Sequence, residues 1–413
     1  MLRRLIDVSL LEPGCEAKVP PPHADASRAP QTCLVTGSLL PWTGGPLRST
    51  GAFQQALDAR LVSFLERRNV SHHALALPQG QLALVTCRRF PGAQHFLVPD
   101  LRSLQAARRF VEGSDLVSCH SFYTFHPPWV HSVCRQRGLP YWIVPHGILD
   151  PYVARRNPAV KRLFMTMVGR ACLANAAATV FSSRNERDKA LQTARIANPV
   201  VISWPVRIPP DFDRDAARLA LRTRLGIPPD ANVLLFLGRL HPMKRPLETI
   251  RMFAEAMDRR WHMLLVGHPD GVSAEECRQE AEASGVGGRV HVVPGVEAAA
   301  VESIIQGCDL FISFSWRENF NNAAAECLAN GIPILLSPGN DLLADIGPSP
   351  AVGALSDDPF AAMASLKDWG SMGAAERLDR GRAGRDWAAA NLSFDVFRSR
   401  LLALRSQTLS AHG

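Results

Sequence analysis

No apolar run in the sequence reaches the ~18 residues that a membrane helix needs. The nine cysteines (Cys15, Cys33, Cys87, Cys119, Cys134, Cys172, Cys277, Cys308, Cys327) are odd in number and contain no C-x-x-C pair and no zinc-ligand spacing. A disulfide scaffold and a zinc ribbon are therefore excluded, and the cysteines read as reduced residues of a cytosolic protein. Met1-Leu-Arg-Arg-Leu-Ile-Asp starts like a secretory leader, but Asp7 and Glu12 interrupt the apolar stretch that should follow, so a cytoplasmic location is expected. There is no repeat at solenoid period and no low-complexity tract. Lysine is scarce, supplying 5 of the 46 basic residues, so the arginine content has a compositional reading alongside any functional one.

What is present is an ordinary globular composition, 46% hydrophobic and 20% charged, over 413 residues. That length exceeds the ~250–300 residues at which one core stops growing, and predicts two domains. Charge divides unevenly between the halves. Residues 1–205 hold 24 Lys+Arg against 12 Asp+Glu, or +12, and residues 206–413 hold 22 against 26, or −4. Two domains with different partners would produce such a split.

Short β-type runs alternate with helical stretches from Thr32 to the C-terminus, which is the pattern of parallel sheets wrapped by helices. Strands are predicted at 32–37, 72–77, 95–98, 116–120, 141–145, 179–183 and 200–204. Helices are predicted at about 50–68, 101–112, 128–137, 158–175 and 184–194. The pattern resets near Arg207-Ile-Pro-Pro, and a second series follows at 233–237, 262–267, 289–293, 310–314 and 333–337. The expected organisation is an irregular extension (1–31), a Rossmann-like domain (32–206), a second Rossmann-like domain (207–392) facing it across a cleft, and a C-terminal helix (393–413) crossing back onto the first domain.

The most informative stretch runs from Phe314 through Glu318, Asn319, Phe320, Asn321, Asn322 and Glu326 to Ala329-Asn-Gly-Ile-Pro333. It reads as a buried strand, a polar loop carrying Glu318, and a helix starting near Phe320 that carries Glu326. A loop at the carboxyl end of a parallel strand, over a helix N-terminus, is where open α/β sheets bind phosphorylated ligands. Were both glutamates helical, their Cα atoms would lie about 12 Å apart, beyond the ~5–9.5 Å separations of glycosidase carboxylates. An extended ligand with hydroxyls at both ends, such as a nucleotide sugar, suits the spacing better than a water-splitting pair. The plainer alternative has Glu318 capping the helix and Glu326 facing solvent.

A second signal is Leu235-Phe-Leu-Gly238-Arg239…Lys244, a strand running into a glycine that permits close backbone approach, then two cations in a loop. Cations there suit a diphosphate leaving group, whose bridging oxygen gains charge as the glycosidic bond breaks. These motifs, with Val292-Val-Pro294-Gly-Val296, resemble the group 1, family-4 retaining glycosyltransferases of the GT-B fold. In the first half, Pro41-Trp-Thr-Gly44-Gly45 is similar to that family's glycine loop, and Asp115–His120 to the strand ending in its active-site histidine. Pro145-His-Gly-Ile-Leu-Asp150 and the basic Arg155-Arg156…Lys161-Arg162 are similar to a segment of exopolysaccharide and O-antigen transferases.

The resemblance implies that Arg239 and Lys244 hold the donor diphosphate. Glu326 would bind the ribose, and Glu318, with its neighbours Asn319 to Asn322, the transferred sugar. Gly44, Gly45, Gly238 and Pro294 would approach the nucleotide, and His120 would sit near the reacting carbon. It also implies a UDP- or GDP-sugar as donor, a glycan or polyprenyl-diphosphate-linked acceptor, no required cofactor or metal, and no nucleic acid. The basic face would sit on the anionic inner surface of the membrane.

Three positions depart from the family pattern. Asn321 stands where glycine is usual, and asparagine best tolerates positive φ. Arg245 replaces a frequent glycine and is expected to add charge beside the phosphate site. Ile202-Ser-Trp-Pro-Val-Arg207 replaces the usual segment before the linker. Asp211-Phe-Asp213 matches a D-x-D metal motif, but its place before a helical run favours N-capping. His126 and His146 could be functional or hydrogen-bonded core residues, and Trp42, Trp129 and Trp142 read as core. The competing functions are a non-catalytic nucleotide-sugar-binding subunit and a nucleotide-sugar epimerase.

Overall fold

The computed structural model describes residues 29–40, 45–67, 69, 80–89, 97–296 and 298–412. Two compact units emerge. The first comprises residues 1–182, 186–202 and 398–413, and the second residues 183–185 and 203–397.

The first unit is built on an eight-stranded sheet: β1 (Thr32–Thr36), β2 (Arg60–Glu66), β3 (Leu82–Arg89), β4 (Leu97–Pro99), β5 (Leu116–His120), β6 (Tyr141–Val144), β7 (Ala178–Phe181) and β8 (Pro199–Val201). Its order is β4-β3-β2-β1-β5-β6-β7-β8, parallel throughout except for the antiparallel β3/β4 pair. β1, β5 and β6 are buried along their whole length because a parallel sheet is covered on both faces; Val35, Val62, Val85, Val117 and Ile143 meet in one core. The last helix, Phe394–Ser410, belongs to this unit from Arg398 onward. The indole Nε1 of Trp142 donates to Thr408 Oγ1 at 3.0 Å, and Arg405 donates to the Pro30 carbonyl at 3.4 Å.

The second unit has six parallel strands: β9 (Asn232–Leu237), β10 (Trp261–Gly267), β11 (Val290–Pro294), β12 (Leu310–Ser313), β13 (Ile334–Leu336) and β14 (Val352–Ala354). Their order is β11-β10-β9-β12-β13-β14, so the sheet reverses direction of winding between β9 and β12. Both units are thus Rossmann-like.

Several predicted elements change. The helix expected over 50–68 ends at Leu57, and β2 occupies its second half. β3 and β14 were not predicted at all. The strand expected at 72–77 lies outside the described residues, as do residues 1–28 and Gly44. Asp213 caps the helix Arg214–Leu225, its carboxylate accepting from Ala216 N at 2.9 Å, while the exposed Asp211 pairs with Arg385 at 3.0 Å.

Candidate functional site

In a doubly wound sheet the loops leaving the two strands at the reversal point diverge and open a crevice. Here those strands are β9 and β12, and their loops carry Lys244 and Glu318. The structure joins them: Lys244 Nζ donates to Glu318 Oε2 at 2.5 Å, with side chains 16% and 22% exposed. Gly238, which follows β9 at φ 151°, lies against this lysine, since a Cβ there would meet Lys244 Nζ at 3.0 Å. Gly267 packs against Gly238 backbone to backbone, and a Cβ on it would stand 1.8 Å from the Gly238 carbonyl oxygen. The close approach expected of Gly238 is therefore used first by the protein's own chain.

The Glu318 loop is wired from below. Glu318 N donates to Gly339 O at 2.8 Å and Asp341 N donates to Glu318 O at 2.9 Å, so the backbone is clamped by the loop after β13. Asn340, fully buried, accepts at Oδ1 from Ser313 Oγ and Asn321 Nδ2 and donates from Nδ2 to the Ser313 and Ser337 carbonyls. Asn321 adopts φ 56° and caps the helix Asn322–Ala329, its Oδ1 accepting from Ala324 N at 3.2 Å. The cap is therefore Asn321 rather than Glu318, and the helix begins two residues later than expected. Phe320 and Asn321 are each 3% exposed, so their side chains serve the interior. Asn319, Asn322 and Glu326 are half-buried, and Pro294 ends β11 exposed.

Arg239 is 68% exposed at its side chain and pairs with Asp270, on the loop after β10. Arg245 overturns its expectation. It takes the left-handed φ of 55° that a glycine would, and is only 5% exposed. Its guanidinium stacks at 3.7 Å from the Phe314 ring centroid and 4.2 Å from that of Trp316, so it turns into the domain rather than adding a free cation.

In the first unit the reversal point lies between β1 and β5, and β5 ends at His120. This residue is 1% exposed and edge-on to Phe53 at 4.8 Å. Its Nδ1 is 3.0 Å from His146 Nε2 and its Nε2 3.2 Å from Ser118 Oγ. His126 Nε2 donates to the His120 carbonyl at 2.6 Å. Burial pushes all three imidazoles down, His126 and His146 to about 4 and His120 well below its ordinary value, so the cluster is neutral at pH 7. His146 sits at φ 53°, and the neighbouring Gly147 N donates at 2.5 Å to the buried Glu186, which also accepts from Ser182. His126 and His146, open in the sequence between a functional and a core role, are members of this cluster, and no sequence motif singles out Ser118 or Glu186. Gly45 opens the helix Gly45–Leu57.

The basic segment forms the short helices Pro151–Ala154 and Pro158–Phe164. Arg155, Arg156 and Arg162 are exposed, whereas Lys161 donates to the Val153 carbonyl and lies 5.3 Å from the Tyr123 ring centroid. Among them stand Val160 and Leu163, 69% and 51% exposed. No helix among the described residues is long and apolar enough to cross a membrane.

Residues 218–364 match the family model described as glycosyl transferases group 1. D-inositol 3-phosphate glycosyltransferase of Streptomyces coelicolor is 28% identical over 225 residues, 50% of this chain and 49% of that protein. The enzyme of the same name from Geodermatophilus obscurus is 36% identical over 141 residues, 31% of each chain. The chain thus spans about half, or less, of the length of these curated relatives. Among solved structures, sucrose-phosphate synthase from Thermosynechococcus elongatus superposes with TM-score 0.70 at 18% identity, over 93% of this chain and 100% of that one. HepE from Anabaena, in complex with UDP and glucose, superposes with TM-score 0.69 at 14% identity, over 92% and 100%. At such identities these two likenesses concern the fold, which is that of GT-B glycosyltransferases.

Proposed function

Because the chain carries a group 1 glycosyltransferase domain, we propose that it moves a sugar from a nucleotide-sugar donor to an acceptor hydroxyl with retention of configuration. The observation that carries this is the Lys244–Glu318 pair at the carboxyl ends of β9 and β12, beside the N-terminus of the helix Asn322–Ala329. A cation and a helix N-terminus at the sheet's reversal point suit a diphosphate. The carboxylate suits the hydroxyls of the sugar beyond it. HepE, with the same fold, binds UDP and glucose.

In the proposed reaction Lys244 leaves Glu318 for the diphosphate, with Arg239 as the second cation. The bond between the anomeric carbon and the phosphate oxygen breaks, its electron pair going to the phosphate. The acceptor oxygen bonds to the same face of that carbon, and its proton passes to the departing phosphate. Glu318 holds the transferred sugar and Glu326 the ribose. His120, neutral at pH 7, contributes a hydrogen bond near the donor sugar rather than a charge.

For the acceptor we propose a lipid-diphosphate-linked glycan of a bacterial surface polysaccharide, with Arg155, Arg156 and Arg162 meeting an anionic membrane; the exposed arginines and their apolar neighbours support this. A phosphorylated small acceptor is the second reading, favoured by the names of the relatives. The test is thermal protection and donor hydrolysis with UDP-, GDP- and ADP-sugars. Protection by at least one donor, lost in Lys244→Ala and weakened in Glu326→Gln, is expected. Failure of every donor to bind overturns the reading. Liposome flotation, weakened when Arg155, Arg156 and Arg162 are neutralised, tests the membrane part.

A further inference from the structure

Trp316 is 58% exposed, the highest exposure of any tryptophan among the described residues. It stands two residues before Glu318, in the loop after β12. An exposed indole is ordinarily mobile, but this one is held. Its backbone N–H donates to Met243 O at 2.8 Å, and the preceding Ser315 carbonyl accepts from Ser337 Oγ at 2.6 Å. Its own carbonyl lies where a Cβ on Gly339 would come within 2.4 Å. The Arg245 guanidinium lies 4.2 Å from the ring centroid on one face.

That support is costly to maintain. Arg245 holds a left-handed backbone conformation that a non-glycine residue resists. Its Nε and Nη1 are buried without a hydrogen-bond partner, and hydrogen-bonding groups are rarely left so. The arrangement gives the second unit a flat aromatic surface with one face covered, one face open, and its orientation fixed beside the Lys244–Glu318 pair.

We infer that the open face of Trp316 is a stacking platform for a pyranose ring. The apolar face of a pyranose presents a patch of C–H groups, which pack on the electron-rich face of an aromatic ring. A platform held rigid before binding loses little side-chain freedom when the ring arrives. Glu318, two residues on, would take hydroxyls at the rim of the same sugar. The inference deepens the proposed function, on which it rests, since it adds an apolar surface for the sugar ring to the hydroxyl contact given there to Glu318. The pyranose can come from the donor or from the end of the acceptor.

The experiment measures affinities by calorimetry for UDP, GDP, their hexose conjugates and a series of free glycosides. Wild type is compared with Trp316→Phe and Trp316→Leu, and acrylamide quenching follows the accessibility of Trp316. Trp316→Leu should weaken sugar-bearing ligands by about tenfold while leaving UDP and GDP unchanged, and Trp316→Phe should restore most of the loss. A loss confined to nucleotide sugars assigns the donor's ring, and a loss confined to glycosides the acceptor's. Equal weakening of UDP or GDP alone would mean stacking on the base and overturns the inference, as does unchanged affinity for every sugar. If no nucleotide binds wild type, the donor reading fails. Glycoside protection of Trp316 from acrylamide then decides the platform by itself, and its absence overturns it.

Discussion

Acidification should destabilise the first unit through its histidine cluster. His126 and His146 are held neutral, with pKa values pushed down to about 4 by burial, against an ordinary value of 6.5. For a base depressed on folding, the unfolded chain binds more protons below the ordinary value, so stability rises with pH. The contribution is complete above about pH 6.5, falls as pH drops from 6.5 towards 4, and is fully lost below that. At pH 5 each group sits 1.5 pH units below its unfolded value, which at 1.36 kcal/mol per unit is about 2 kcal/mol, or about 4 for the pair. His120, depressed by burial and by the neighbouring His146 and His126, adds in the same direction. Against a total of ~5–15 kcal/mol for a domain, this loss is large. The variant that isolates the effect is His146→Asn, because asparagine accepts the φ of 53° without titrating. Urea unfolding from pH 7.5 to 5, with hydrogen exchange of the β5 and β6 peptides as the local readout, should show a shallower pH slope in His146→Asn by about one proton. Parallel pH dependence in the two proteins would refute the reasoning, since every other titrating group is common to both.

Four further outcomes follow from particular contacts. Asp309, 2% exposed at its side chain, accepts from Arg222 Nη2 at 2.5 Å and from Val233 N at 2.8 Å, so Asp309→Asn leaves the buried Arg222 guanidinium, otherwise held by backbone carbonyls, without its counter-charge and should cost about 3–5 kcal/mol in urea unfolding of the second unit. Gly381→Ala would place a Cβ 2.0 Å from the Gly331 carbonyl oxygen, where the helix Ala374–Leu392 crosses, and should lower that unit's melting point by ~4–8 °C for about 2 kcal/mol; an unchanged melting curve would refute the close contact. Asn321→Gly restores the residue usual in the resembling family yet removes the bonds to Ser313 and Asn340, and should cost about 1–2 kcal/mol by chemical denaturation rather than stabilise. Glu318→Gln frees Lys244 from a partly buried pair, so UDP should bind up to about fivefold tighter by calorimetry while sugar transfer falls; weaker UDP binding would show that Glu318 holds the nucleotide instead.

Helices that begin and end on strong local signals were legible. Residues 101–112 form a helix at both predicted bounds, because Asp100 accepts from Ser103 N and Gly113 closes the last turn. The stretch after Leu57 reads as helix because Leu61–Leu65 is buried on both faces, and a buried parallel strand then carries no period-2 signature to set it apart from a buried helix. Asp58, at φ 47°, breaks the helix with a residue that gives little warning in sequence. β14 is three residues long and defined by its pairing with β13, 18 residues away at Ile334↔Val352, so no local pattern could announce it.

The site divides along the same physical line. Lys244 and Glu318 were legible because each lies in the loop that follows an apolar strand, and in a doubly wound sheet the carboxyl end of such a strand is where ligands come. Their supports were not. Asn340, Ser313 and Ser337 are residue types common in any turn, and they acquire meaning only when β12 and β13 lie side by side. Arg245 shows the limit most clearly. Standing next to Lys244 in place of a glycine, it is expected to add charge beside the phosphate site, but Phe314 and Trp316, some 70 positions later, capture the guanidinium on their rings. A charged side chain next to a ligand loop is thus decided by the strongest partner within reach. In a parallel sheet that partner comes from the adjacent strand's loop, which the chain reaches only after a long crossover. The local sequence therefore reports where chemistry can occur, and the pairing of β9 with β12 decides which of the residues there remains available for it.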